Sequence, residues 1–334
     1  MKITILSVRD TGGAGYCLAH AINKVHPEHQ CVNMRAQDSY INYPTLVEMG
    51  NYSVKLCRDM VHKADVIVFL GYMKPFFEGL RLSKQRLKDK KKLLMCMGSE
   101  WRFGRKQLIQ EADKLLGKYQ ILLGGSGMFL EYPEGDPIPE GVKFLPPIRS
   151  FSEIGRRFGL CNQDEAALES FSVPKKKVVF CHAPTSDMKK GSETFYRVIT
   201  RAMQILPDVS FLTIRNQPWY SCLNAIARSD VLFDQDPPFP VGYGGITIEA
   251  SIFRLPVVTK IDPRCVAWLK RETGLDPPFV KFDGEEDLLE KVCQLAVNPK
   301  LRRLLGDLTY RFCKQLHDEK PVVERFFKIV DEMG

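Results

Sequence analysis

Residues 230–259 read DVLFDQDPPFPVGYGGITIEASIFRLPVVT and gather the side chains best placed to do chemistry. An apolar run ends at Asp234 and Asp236, and a Pro-rich loop leads to Tyr243-Gly244-Gly245. A short helix-like stretch carrying Glu249 follows, then a second apolar run at 256–258. The order is strand, glycine loop, helix, strand. Paired glycines let a backbone approach a ligand closely, and the N-terminus of the next helix offers N–H groups to an anion. A phosphorylated ligand suits such a loop. Glu249 lies four residues past Gly245, about one helical turn, where its carboxylate would accept hydrogen bonds from a diol such as a ribose. The glycine pair is, by itself, also ordinary turn chemistry. A second anion signal lies at 178–192, where an apolar run ends at His182 and Lys189-Lys190-Gly191 precedes a helix pattern. A lysine at that point puts a charge on a diphosphate and stabilises it as it departs. His182, alone at a strand end, is either a structural group or a ligand contact. A third loop, Arg9-Asp10-Thr11-Gly12-Gly13-Ala14-Gly15, follows the first strand and is neither a dinucleotide fingerprint nor a Walker loop.

Gly242-Tyr243-Gly244, Glu249-Ala250 and Pro256-Val257-Val258 together resemble the donor-binding signature of glycosyltransferase family 4. The resemblance covers nearly the whole chain. It implies a GT-B architecture, two doubly wound Rossmann-like α/β domains facing each other across a cleft, and sugar transfer from a nucleotide-sugar. Retention of configuration, no metal and no cofactor beyond the donor are implied with it. The catalytic residues are then Lys190, on the diphosphate, and Glu249, on the ribose. Donor contacts fall to Gly12, Gly13, His182, Arg215, Tyr243, Gly244, Gly245 and Ile246 as well, with Trp219 and Tyr220 as stacking or core aromatics near the base. The arginine that often precedes the lysine is absent, unless Lys189 or His182 does its work. Met97-Gly98-Ser99-Glu100-Trp101-Arg102 is similar to the family's His-Gly-Ser/Thr-Asp/Glu-x-Arg stretch, placing Glu100 and Arg102 on the acceptor side. Two positions depart from the pattern. Val241 replaces a glutamate that contacts the transferred sugar, and Met97 replaces the histidine, so a catalytically silent nucleotide-sugar-binding protein is the alternative reading. A phosphorylase on the same fold would need a phosphate or cofactor site that the sequence does not display. Asp234-Gln235-Asp236 has the form of an Asp-x-Asp metal motif, but its place before a Pro-rich loop argues for coincidence.

The elements that must position these residues alternate in type. Strand patterns at 2–8, 30–34, 65–71, 92–97, 119–123 and 142–145 interleave with helix patterns, among them 16–25 and 53–63. Such alternation calls for a parallel sheet covered on both faces, with ligands at the carboxyl ends of its strands. The pattern loosens after Pro146-Pro147 and restarts at Val178. This divides the chain into a first domain at 1–150, a linker at 151–176, a nucleotide-sugar-binding domain at 177–318 and a C-terminal helix at 319–334 that packs back on the first domain. Strands at 209–214, 231–233 and 256–258 and helices at 192–206, 285–296, 301–316 and 321–333 complete the second half.

Composition bounds the class. At 334 residues, 44% hydrophobic and 26% charged, the chain is long enough for two ordinary domains with their own cores. No apolar run reaches the roughly 20 residues of a membrane span, and the first residues read as a strand, which gives a cytoplasmic expectation with peripheral contact at the inner face of a membrane left open. The ten cysteines form no CxxC pair and sit mostly in apolar patterns, so reduced core thiols are expected and a zinc site is not. The net charge is +8, and seven basic residues fall between Arg81 and Lys92 against Asp89 alone. That cluster is either a solvated helix surface or a surface for an anionic acceptor: an acidic glycan, a lipid-linked glycan, or a hydroxylated base in DNA.

Overall fold

The structure is a computed structural model describing residues 1–10, 13–37, 44–129, 138–160, 177–239 and 241–334, with backbone alone for Ser99, Glu100, Arg102, Phe103, Ser126 and Gly127. The chain divides into two compact units, Met1–Ile148 with His317–Gly334, and Arg149–Leu316.

The first unit runs β1 (Lys2–Ser7), α1 (Ala14–Val25), β2 (Gln30–Arg35), β3 (Val47–Glu48), α2 (Val54–Lys63), β4 (Val66–Leu70), α3 (Lys74–Gly79), β5 (Lys91–Cys96), α4 (Ser99–Leu115), β6 (Gln120–Leu123) and β7 (Lys143–Phe144). Its seven strands are parallel in the order β3-β2-β1-β4-β5-β6-β7. The inner strands read as near-continuous apolar runs because both faces are covered. Phe69, Phe76 and Trp101 lie in the core on one face; Ile5, Leu18 and Phe326 lie in the core on the other. Phe326 belongs to the last helix, Glu319–Glu332, which packs on α1 and is tied by Lys24 to Glu319 at 2.5 Å.

The second unit begins with α5 (Phe151–Arg157) and continues β8 (Val178–His182), α6 (Asp187–Lys190), α7 (Ser192–Ile205), β9 (Val209–Thr213), α8 (Trp219–Ala227), β10 (Val231–Phe233), α9 (Gly245–Ile252), β11 (Val257–Val258), α10 (Pro263–Thr273), α11 (Gly284–Val297) and α12 (Pro299–His317). The four strands are parallel in the order β11-β10-β8-β9. From β8 the chain moves to one side to form β9 and then to the other to form β10. The crevice at the carboxyl ends of β8 and β10 is therefore the switch point where ligands of such sheets gather. Phe233 is in register with His182, so the loops carrying Lys190 and the glycines leave adjacent strand ends.

Three expectations change. Phe151–Arg157, assigned to the linker from its polar neighbours, is a helix capped by Ser150, whose Oγ accepts the Glu153 N–H at 3.2 Å. Phe151 and Ile154 are buried there, and that burial outweighs the polar composition. The Val47–Glu48 strand is too short to leave a periodic signal and was not anticipated. The basic cluster is not a helix surface. It holds one short turn, Gln85–Leu87, before β5, and Lys92 is buried with its ammonium 2.7 Å from the Leu87 carbonyl. Lys84 donates to the Asp113 carbonyl and Lys91 to that of Val330. Arg81, Arg86 and Lys88 remain exposed, with Lys90 half-buried.

Candidate functional site

The switch point of the second unit brings together Lys190, Asp234, Gln235 and the glycine loop. Lys190 ends the short helix α6, and Gly191 turns the chain into α7 with φ of 63°. A side chain at 191 would be strained by that φ and would meet the Asp236 carbonyl oxygen at 2.2 Å, so only glycine fits. The turn puts the Lys190 ammonium 2.9 Å from Asp234 Oδ1 and 2.8 Å from Gln235 Oε1. Asp234 Oδ2 accepts the Gly244 N–H at 2.6 Å and the Thr247 hydroxyl at 2.9 Å. Gln235 donates to the Gly242 carbonyl at 2.8 Å. Gly244 is constrained by the same hub, since a Cβ there would sit 2.6 Å from both Asp234 Oδ1 and the Lys190 ammonium.

Helix α9 starts at this point with Gly244 as its cap. The expectation that the Gly244 amide faces phosphate is corrected by its bond to Asp234. Thr247 N–H is taken by the Gly244 carbonyl at 3.1 Å. Gly245, which is exposed, and Ile246 are the first-turn residues left to turn their N–H groups on an anion. The Tyr243 ring packs on Phe279 and Phe312, with centroids 5.0 and 5.9 Å away.

Glu249 sits within the first two turns of α9 and is buried. Its Oε1 accepts from Arg149 Nε and from Trp219 Nε1, both at 2.9 Å. The Arg149–Glu249 pair is 4% exposed on each side, so the two charges meet away from water. Sequence reasoning missed Arg149, because nothing in the pattern near 149 marks a partner one hundred residues away. Trp219 is core-facing and its indole serves Glu249, while Tyr220 is covered by the Arg157 guanidinium at 3.4 Å.

His182 is fully buried. Its Nδ1–H donates to the Phe233 carbonyl at 3.0 Å and its Nε2 accepts from the Ser192 hydroxyl at 2.8 Å, because a carbonyl can only accept. Burial lowers its pKa to about 4, so the ring is neutral. In this position it cannot touch a donor; it ties the ends of β8 and β10 to the start of α7. Arg215 lies past the end of β9, exposed, with its guanidinium on Asp187 at 2.7 Å and the Tyr196 hydroxyl at 2.8 Å. A cavity of about 630 Å³ opens there, lined by Tyr196, Phe211, Thr213, Ile214, Arg215 and Gln217 among others. Lys190, the glycine loop and Glu249 do not line it.

In the first unit Gly13 caps α1 with φ of 65°, its N–H on the Asp10 carbonyl at 3.0 Å, and Asp10 Oδ2 accepts the Tyr16 N–H at 2.9 Å. Gly12 lies outside the described residues. Glu100 and Arg102 fall in the first turn of α4, and their side chains lie outside them too. Val241 is buried. Among the described residues no group of three or more His, Cys, Asp or Glu is placed to hold a metal. Asp236, the last member of the Asp-x-Asp run, pairs with Lys260 at 3.0 Å. The nine described cysteines are free thiols, seven of them buried. No helix among the described residues is long and apolar enough to cross a membrane.

No protein-family model and no curated protein matches the sequence. Solved structures match the fold along its length. HepE of Anabaena, in complex with UDP and glucose, aligns with a TM-score of 0.62 over 99% of this chain and 100% of its own, at 12% identity. An alpha-glucosyltransferase in complex with UDP and a 13-mer DNA containing a central A:G mismatch gives 0.63 over 99% of each chain at 11% identity. The UDP-forming alpha,alpha-trehalose-phosphate synthase of Burkholderia vietnamiensis gives 0.59 over 99% of this chain and 100% of its own, also at 11%. The chain has the GT-B fold, with one seven-stranded and one four-stranded parallel sheet.

Proposed function

We propose that this protein moves a sugar from a nucleotide-sugar to an acceptor and holds the donor's diphosphate in the second unit. One observation carries the reading: a lysine ammonium and the N-terminus of α9 lie side by side at the carboxyl ends of β8 and β10. Lys190 has three N–H donors, and Asp234 and Gln235 take two, which leaves one for a phosphate oxygen. The Gly245 and Ile246 amides and the helix dipole add to it. As the sugar–phosphate bond breaks, charge grows on the departing diphosphate, and these fixed donors stabilise it without reorganising. They do so without a metal, and transfer with retention of configuration belongs to the same proposal. Glu249, held by Arg149 and Trp219, accepts from the ribose. The solved complexes of HepE and of the alpha-glucosyltransferase, both with UDP, support UDP as the first nucleotide to try.

The acceptor of this proposal is anionic and meets Arg81, Arg86, Lys88 and Lys90 of the first unit. An acidic or phospholipid-linked glycan, reached from the cytoplasm at the inner face of a membrane, is the favoured form. A hydroxylated base in DNA is the other outcome of the salt titration below. Val241, buried and apolar, favours a second reading in which the donor is bound but not turned over.

Thermal unfolding in the presence of UDP, UDP-glucose, other nucleoside diphosphates and uridine tests the reading. A nucleotide at about 100 times its dissociation constant stabilises by roughly 2.7 kcal/mol, and uridine should do far less than UDP. If no nucleotide shifts the transition, the donor site is not there. Release of UDP from UDP-glucose without acceptor then separates an enzyme from a silent binder.

A further inference from the structure

The Asp234-Gln235-Asp236 run has the form of a metal motif, yet each of its members faces the protein's own groups. Asp234 Oδ1 is 2.9 Å from the Lys190 ammonium, and its Oδ2 holds Gly244 N–H and the Thr247 hydroxyl. Gln235 accepts from the same ammonium and donates to the Gly242 carbonyl. The Asp236 N–H donates to the Lys190 carbonyl at 3.0 Å, which fixes the backbone that carries the lysine. The Asp234 side chain has no exposure and that of Lys190 has 16%. The carboxylate is thus sealed beneath the ammonium, and only the ammonium is in reach of a ligand.

We infer that Asp234 is a positioning residue and built-in counter-ion of the anion site. It pins Lys190 and the N-terminus of α9 to one place, and an arriving diphosphate must share Lys190 with it. The inference rests on the proposed nucleotide site. Its physical content is a trade: the negative charge that orders the lysine also opposes the ligand's negative charge, at a separation where charges interact strongly in a partly buried site. A purely structural Asp234 would act on the phosphate only by disordering the loop, and its loss would weaken binding. A counter-ion makes the opposite prediction.

The experiment is calorimetric titration of the full-length protein and its variants with UDP and, separately, with uridine, which lacks the phosphates. Asp234→Asn keeps the size and removes the charge: its amide oxygen can keep the Gly244 N–H and the Thr247 hydroxyl, while its NH2 then faces the Lys190 ammonium, cannot accept from it and releases it. It should bind UDP roughly three- to tenfold more tightly and uridine as the wild type does. In a Lys190→Gln background the same change should have less than half that effect on the logarithm of affinity, because the shared group is gone. Gln235→Glu adds a second negative charge beside Lys190 but also removes the donor on the Gly242 carbonyl. It should weaken UDP by about tenfold, against a clearly smaller loss in Gln235→Met, which removes the donor without adding charge, with the two variants alike toward uridine. This pair carries the test alone if Asp234→Asn does not fold. The inference is overturned if Asp234→Asn binds UDP equally or more weakly, or if Gln235→Glu binds it as the wild type or Gln235→Met does. Failure of the wild type to bind UDP or any other nucleotide would instead sink the proposed function, so the two failures are distinct.

Discussion

At the scale of single residues, the charges proposed to meet the donor are already paired within the protein, and this shapes what mutation does. Lys190→Ala should cost about 2–4 kcal/mol of transition-state stabilisation, read as kcat/KM, with a smaller loss in UDP affinity. It also strands the buried Asp234 carboxylate, so urea unfolding should show lower stability. Wild-type turnover in this variant would reduce Lys190 to an ion-pair partner of Asp234. Glu249→Ala takes a carboxylate away from the buried Arg149 guanidinium and an acceptor from the Trp219 indole, and should lower the stability of the fold. Glu249→Gln is the better probe of function: it should weaken UDP binding by about 1.5–3 kcal/mol, and do so less for a dideoxyribose analogue. Equal losses on both ligands would take the ribose away from Glu249. His182 supplies a pH test. Its folded pKa, lowered by burial to about 4, lies below the ordinary histidine value. Between about pH 6.5 and 4 the unfolded chain therefore binds the extra proton, and stability falls as pH falls through that window by roughly 3 kcal/mol. His182→Gln should lack this component. Urea unfolding of both proteins at pH 7 and 4.5 measures it; a stability gap between them that stays constant over that range would contradict the buried neutral ring.

At the scale of elements, the site depends on turns that allow one backbone path. Gly191→Ala should cost at least about 1–3 kcal/mol from the left-handed conformation alone, and more from the 2.2 Å approach to the Asp236 carbonyl. Because that turn carries Lys190, UDP affinity should fall with stability, as thermal unfolding with and without UDP would show. A fully stable Gly191→Ala protein would mean that the loop between α6 and α7 is free to rearrange. The strand–loop–helix order around Lys190 and around Gly244 was legible from apolar runs bounded by glycine and proline. Helix α5 was not, because its aromatic residues find their partners far along the chain: Phe151 meets Tyr310, and Phe158 just beyond the helix meets Phe253.

At the scale of the whole molecule, the basic cluster sets the acceptor test, and the structure decides which of its members can take part. Arg81, Arg86, Lys88 and Lys90 changed together to Gln should weaken binding to the proposed anionic acceptor surface, while Lys92→Gln should lower stability instead, since its buried ammonium satisfies the Leu87 carbonyl. Each phosphate neutralised on duplex DNA adds about −0.9 to the slope of log affinity against log salt. A titration with duplex DNA and with anionic vesicles at several salt concentrations distinguishes the two. If neither binds, or the fourfold variant binds as the wild type does, the cluster is only a solvated face. The sequence by itself determined the α/β class and the loops after the strands worth examining, those around Lys190 and Gly244 among them, because apolar periodicity and the demands of glycine and proline are local and read directly from neighbours. Only the tertiary structure decided that Asp234 holds Lys190, that Arg149 and Trp219 hold Glu249, and that His182 and Lys92 are sealed inside. Those pairings join positions 30 to 100 residues apart, or turn on burial, and the free energy that selects them comes from removing charge from water, which the order of residues along the chain does not express.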